Sequence, residues 1–218
     1  MALPERTEHR QEAFTECLAD AVRALALDLA PASESADRAA WVSQVRRAVR
    51  EACLQGLTVS EEAFDALIKA AVHDPDPSFN RGFVEPALSA FGRRRVQVTL
   101  LGYLRTGTDP QRAGAARAWY WSAVPPRMPL VRAADAGTAD APEPDDGSDV
   151  VAEWNEAALR EFVRNEHVDV RRCILPGLPL RKSAHPPELH DLVDVAVATA
   201  RSHPDEYIRH RVEHQVGD

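Results

Sequence analysis

Apolar residues recur along most of this chain at the three- and four-residue spacing of amphipathic helices. Three such stripes open the sequence. Pro31 ends the first, and Thr58-Val59-Ser60-Glu61 fits a capping box at the start of the third. No comparable run alternates with the two-residue period of a half-buried strand, so the pattern predicts an all-α fold. The stripe positions are Phe14, Cys17, Leu18, Ala21, Val22, Leu25 and Leu29, then Trp41, Val45, Ala48, Val49 and Ala52, then Phe64, Leu67, Ile68 and Ala71.

The rest of the sequence repeats one unit, which is a helix, a short turn with Asp and Pro, and a second helix. We expect Gly92 to end one helix, Pro110 to start another and Pro176 to interrupt a third. Arginines near the start of the second helices lie 31, 59 and 38 residues apart, and subtracting a 25-residue insertion at 125–149 reduces the middle step to 34. All three sequence separations then match the length of one helix pair. These arginines are Arg81, Arg112, Arg171 and Arg209.

This arrangement resembles HEAT and armadillo-like repeat proteins, which place an Asp at the inter-helix turn and an Arg near the start of the second helix. The resemblance covers about residues 60–216 and implies a right-handed α-α superhelix, a HEAT-like solenoid, in which these side chains support stacking between repeats. It divides the chain into N-terminal capping helices (1–57), repeats one and two (58–124), a flexible acidic loop (125–149) and repeats three and four (150–218). The matching positions are Asp109 and Arg112, Asp169 and Arg171, and Asp205 and Arg209.

The charge and the cysteine content limit the possible partners and location of the protein. The net charge is −8, and six acidic residues with no basic one lie between Ala133 and Asp149, so the remainder is close to neutral. A nucleic-acid partner would therefore need a local basic surface. The three widely spaced cysteines suit reduced thiols, and no stretch approaches the roughly 18 apolar residues of a membrane span. We expect a cytoplasmic protein without a membrane partner.

The C-terminal stretch carries the H-x-x-E-H signature of one class of zinc peptidases, with His210 and His214 on one helical face and Glu213 beside them. The family arrangement needs a third ligand downstream, but the sequence given ends at Asp218. Only an upstream residue would complete the site. We therefore expect a polar stripe on the last helix, with no metal and no cofactor. The upstream candidates are His185, Glu188, His190 and His203.

Two further groups are candidate partner-binding residues. Trp119 and Trp121 flank Tyr120 at the end of an Ala-rich helix, and we expect core packing for at least two of these three rings. A run of three arginines, with Arg46, Arg47 and Arg50 earlier in the chain, would either contact phosphates or form a solvated helix end. The run is Arg93, Arg94 and Arg95.

The sequence contains no complete catalytic set, so it predicts a non-catalytic module that binds a protein or peptide on the concave face of its second helices. The alternative is a nucleic-acid-handling protein, since some HEAT-like proteins are DNA glycosylases with a basic concave face and a cleft Asp among aromatic residues. This chain is similar to them in architecture alone. The alternative predicts that the three consecutive arginines and at least one of Trp119 and Trp121 converge on a cleft with a carboxylate.

Overall fold

The computed structural model describes residues 8–30, 38–125, 132–134 and 148–216. This part of the chain is all-α, as the apolar periodicity predicts, and contains nine α-helices. Three short 3-10 helices occupy Leu175–Gly177, Lys182–Ala184 and Pro187–Leu189. The α-helices are α1 (Glu8–Ala24), α2 (Arg38–Leu54), α3 (Glu61–His73), α4 (Arg81–Thr106), α5 (Asp109–Ala123), α6 (Ser148–Arg164), α7 (Val168–Ile174), α8 (His190–Arg201) and α9 (Glu206–Val216).

The described residues also include two strands of two residues each, which the sequence does not predict. β1 (Thr58–Val59) pairs in parallel with β2 (Arg132–Ala133), in the register Thr58 with Arg132. Two residues are too few to show an alternating pattern. Because Thr58 belongs to the strand, Ser60 caps α3 instead, and its Oγ accepts a hydrogen bond from Ala63 N at 3.2 Å.

The predicted acidic loop at 125–149 lies largely outside the described residues, which omit 126–131 and 135–147. Its described parts are Pro125, β2 with Ala134, and the start of α6 at Ser148. The amide of Ala134 donates to Val59 O at 2.8 Å, so this segment is attached to the entrance of α3.

The helices contact each other in two series. α1, α3, α5 and α7 each pack against the next in that order, and α2, α4, α6 and α8 form a second series in the same way. The last helix, α9, contacts α7 and α8, and α5 packs along α4. A helix therefore meets both its neighbour in sequence and the helix two positions away.

Two predicted interruptions are confirmed. Gly92 has φ 78° and ψ 165° and kinks α4, because glycine takes positive φ without the strain of a Cβ atom. α7 ends at Ile174, and Pro176 lies in the 3-10 turn that follows. Pro176 lacks the amide hydrogen that would continue the helix.

The apolar core runs through both series of helices. In its centre α5 is buried from Ala113 to Trp119, and its small side chains allow close helix contact. At Gly114 an added Cβ atom would lie 1.8 Å from Val72 O of α3. Glycine is therefore required where α3 and α5 cross. None of the helices in the ranges given above combines the length and apolar character needed to cross a bilayer.

Candidate functional site

The three arginines of the repeat motif tie each second helix to the chain just before it. Arg112 Nε donates to Leu104 O at 3.3 Å, at the end of α4. Arg171 donates to two carbonyl oxygens at the end of α6, at 3.1 and 3.2 Å. Arg209 Nη1 donates to His203 O at 2.6 Å in the turn after α8. Arg112 and Arg171 thus satisfy carbonyls at a helix end, where intrahelical partners run out, whereas Arg209 satisfies carbonyls of the turn before its own helix.

The three aspartates of the motif have different partners. Asp109 accepts a hydrogen bond from Asn165 Nδ2 at 2.7 Å, which lowers its pKa and links two successive turns. The carboxylate of Asp205 pairs with Arg172 on α7, which lowers its pKa too, and caps α9. Asp169, which is buried, pairs with Arg10 of α1 at 2.8 Å.

The three consecutive arginines of α4 contact three different helices. Arg93 Nη1 donates to Ser122 O of α5 at 2.5 Å, and Arg94 pairs with Asp149 of α6 at 2.9 Å. Arg95 pairs with Glu61 at the start of α3 and lies over Phe64 and Phe91. These contacts hold α4 against its neighbours, and they do not converge on one cleft.

The aromatic run divides between core and surface. Trp119 is 9% exposed and stacks on Trp154 of α6, with ring centroids 4.0 Å apart. Trp121 is half-buried against the core, and its Nε1 donates to Pro77 O at 3.1 Å. Tyr120 is 56% exposed. Two of the three rings therefore pack as expected, and the third faces solvent.

Two exposed aromatic rings and two partly buried arginines lie at the α3–α4 turn and the end of α5, which Trp121 links through its hydrogen bond to Pro77. Phe79 is 51% exposed, and Arg46 of α2 lies 4.4 Å from its ring centroid. Arg81 lies 4.8 Å from the ring of Trp121, which is 4.9 Å from that of Tyr120. We call these five residues the aromatic patch. The sequence singled out Trp121 and Arg46, but it gave no reason to place Phe79 and Tyr120 beside them.

Asp74 anchors the same turn from within. It is fully buried, and both carboxylate oxygens accept hydrogen bonds from Arg46 Nη2, at 2.6 and 2.7 Å. Burial raises the pKa of Asp74 to about 6, although the charge of Arg46 acts in the opposite direction.

Residues of α1, α3, α5 and the turn after α3 line a cavity of about 130 Å³. We call it the arginine cavity, because Arg10 of α1 and Arg117 of α5 line it, together with His73 of α3 and Thr108 at the start of α5. Arg117 is only 4% exposed. Its Nη2 donates to Asp74 O at 3.0 Å, and its Nη1 lies 3.5 Å from Cys173 Sγ.

Two nitrogen atoms at this cavity are buried without a hydrogen-bond partner, namely Nε of Arg117 and Nε2 of His73. Burial lowers the pKa of His73, with a smaller contribution from the positive charges of Lys69 and Arg117. Buried polar atoms usually have partners, so a ligand or water molecules in this cavity would satisfy both nitrogens.

The two histidines of the H-x-x-E-H motif lie on the exposed side of α9. Their Nε2 atoms are 3.3 Å apart. Zinc sites in proteins use three or four protein ligands. Within the described ranges no group of three or more His, Cys, Asp or Glu side chains is placed to hold a metal ion. His210 and His214 therefore provide two ligands at most from this part of the chain.

The fold and these sites define an all-α protein with an arginine-lined cavity and an exposed aromatic patch. Comparison with protein-family models, curated protein sequences and solved structures finds no significant match to this chain. Its function must be inferred from its own contacts.

Proposed function

We infer that this chain is a non-catalytic binding module, a scaffold that holds a protein or peptide partner on a HEAT-like helical-repeat framework. The two series of helices support this architecture, because stacked helix pairs place each helix beside the one two positions away. The equivalent contacts of Arg112, Arg171 and Arg209 support it as well.

The contact between α1 and α7 supports a curved stack. α3 and α5 lie between these helices in their series, yet Arg10 reaches Asp169 at 2.8 Å. A flat layer would keep the axes of α1 and α7 three helix spacings apart, or about 24 to 30 Å. The series formed by α1, α3, α5 and α7 is then the inner, concave one.

The observation that carries the proposed function is the aromatic patch. Aromatic rings and arginine are the residue types that dominate the energetics of protein interfaces. Phe79 and Tyr120 are both more than half exposed, although burying each ring would be favourable. The patch lies on the turn side of the stack and fits an apolar segment of a partner protein.

The test is affinity capture from native cell extract with three forms of the protein as bait. We expect wild-type protein to retain a partner that the double variant Phe79→Ala, Tyr120→Ala loses. Leu54→Ala is the matched control, since Leu54 is an equally exposed apolar side chain on α2. Equal recovery of every captured protein by all three baits would contradict the proposal.

The nucleic-acid alternative stays a prediction, because the described contacts of the three consecutive arginines do not favour it. A titration with duplex DNA at two salt concentrations tests it, since phosphate contacts weaken steeply with salt. A cytoplasmic location likewise remains a proposal. The buried, unpaired thiols of Cys17, Cys53 and Cys173 support it, because a reducing compartment preserves them.

A further inference from the structure

We propose that the arginine cavity binds a small oxyanion, a phosphate-like ion or a carboxylate group, through Arg117 and His73. This inference is independent of partner binding, because it uses the interior of the cavity and no residue of the aromatic patch.

The charge around Arg117 favours an anion. Its guanidinium stays protonated at any physiological pH, and it forms no ion pair with the described residues. The two buried carboxylates nearby already pair with other arginines, Asp169 with Arg10 and Asp74 with Arg46. Burial raises the pKa of the Cys173 thiol, which therefore stays neutral beside Arg117. A buried charge without a counter-ion is destabilising, and an anion in the cavity would offset it.

The hydrogen-bond donors at the arginine cavity also favour an anion. Arg117 Nε is a donor only, and His73 Nε2 becomes a donor when it carries the ring proton. Both atoms are buried at the cavity without partners. Thr108, the N-cap residue of α5, also lines the cavity, so the positive end of this helix dipole faces it. A cation site would require acceptors here instead.

The volume of the arginine cavity suits a small oxyanion. A cavity of about 130 Å³ has room for several water molecules. A phosphate or sulfate ion has five non-hydrogen atoms and a carboxylate group has three. Water alone would satisfy both nitrogens but would leave the charge of Arg117 uncompensated.

The first experiment is thermal unfolding of the full chain with inorganic phosphate, sulfate or acetate, at constant ionic strength with chloride as reference. At a hundred times its Kd, a ligand raises the Tm of a chain of this size by roughly 5 to 10 °C. We expect such a rise for wild type and for Arg47→Gln, which removes an exposed arginine elsewhere. Arg117→Gln should abolish it, and His73→Gln should reduce it.

Two results would overturn the proposal. One is an equal rise in Arg117→Gln, which would show a general salt effect. The other is no rise beyond that in chloride for any oxyanion, which would mean that the cavity holds water only.

A second measurement decides the matter if Arg117→Gln does not fold. Wild-type protein with ¹⁵N-labelled arginine is titrated with phosphate, and the Nε–H resonance of Arg117, assigned by its loss in Arg117→Lys, is followed by NMR. We expect a saturable shift of this resonance. A resonance that stays unchanged up to saturating phosphate would refute binding at Arg117.

The source of the oxyanion is distinguished by comparing inorganic phosphate, methyl phosphate and acetate. If methyl phosphate binds as tightly as inorganic phosphate, the site takes a phosphate group carried by a larger molecule. If only the inorganic ion binds, the site takes the free ion. Stronger binding of acetate would assign it to a carboxylate group. Each of these results supports an oxyanion site and identifies its ligand.

Discussion

The close crossing of α3 and α5 makes Gly114→Ala the most demanding test of this fold. In an isolated helix the change would be favourable, since Ala exceeds Gly in helix propensity by about 1 kcal/mol. At this position the added Cβ atom would lie 1.8 Å from Val72 O and 2.7 Å from Val72 C. Because non-bonded carbon contacts are about 3.5 Å, α5 would have to move away from α3 by more than about 1 Å.

Moving α5 also disturbs its contacts with α4 and α7, so the cost should exceed the propensity gain. Overpacking of a well-packed core costs about 1 to 3 kcal/mol and sometimes more. A backbone carbonyl cannot rotate away as a side chain does, which places this site at the upper end. We expect the free energy of unfolding to fall by about 2 kcal/mol, and Tm by about 4 to 8 °C.

Urea denaturation followed by circular dichroism measures this change, and Gly102→Ala is the matched control. Gly102 lies on an exposed position of α4, and an added Cβ atom there meets nothing within 4 Å. The control should therefore gain up to about 1 kcal/mol. If Gly114→Ala is as stable as Gly102→Ala, α3 and α5 do not approach as closely as the structure places them.

Three further predictions test the turns and the thiols. The folded pKa of Asp74 is raised from 3.8 to about 6, so its contribution to stability is complete below pH 3.8 and is lost as pH rises through 6. Relative to Asp74→Asn, wild type should lose up to about 3 kcal/mol between pH 4 and 7, and a difference independent of pH would contradict the raised pKa. Arg171→Ala should cost about 1 to 3 kcal/mol in urea denaturation, because it frees two carbonyls, whereas Arg160→Ala removes an exposed pair with Glu156 and should cost under about 0.5. Burial raises the pKa of the Cys17 and Cys53 thiols to about 11, so a thiol reagent at pH 8 should modify them only after unfolding.

The helical architecture could be predicted from the sequence because its causes are local. An apolar stripe at helical spacing marks a buried face wherever that face packs, so the stripes locate α1, α2 and α3 without any tertiary information. The breaks at Gly92 and Pro176 are also local, since backbone freedom and a missing amide hydrogen belong to single residues. The two-residue strands have no such pattern, and only their pairing reveals them.

The arginine cavity could not be predicted in this way. Arg10, His73 and Arg117 lie on three helices, and nothing in the sequence around any one of them refers to the other two. One local signal did exist. Arg117 is the single charged residue in the buried stretch from Ala113 to Trp119, and a charge there must find a partner or a cavity. A lone arginine inside an apolar helix is a better indicator of an interior site than a run of arginines at a helix start.

The aspartates of the repeat motif show why equivalent positions do not imply equivalent contacts. Each aspartate lies at the start of a helix, but its partner is set by whichever helix lies next to it. Asp205 meets Arg172 on the adjacent α7, whereas Asp169 meets Arg10 on α1, which comes from the far end of the chain. A helix that only covered the end of a stack would touch its nearest neighbour alone. Since α1 packs on α3 and also reaches α7, it closes one wall of the arginine cavity, and the N-terminal segment is therefore part of the site.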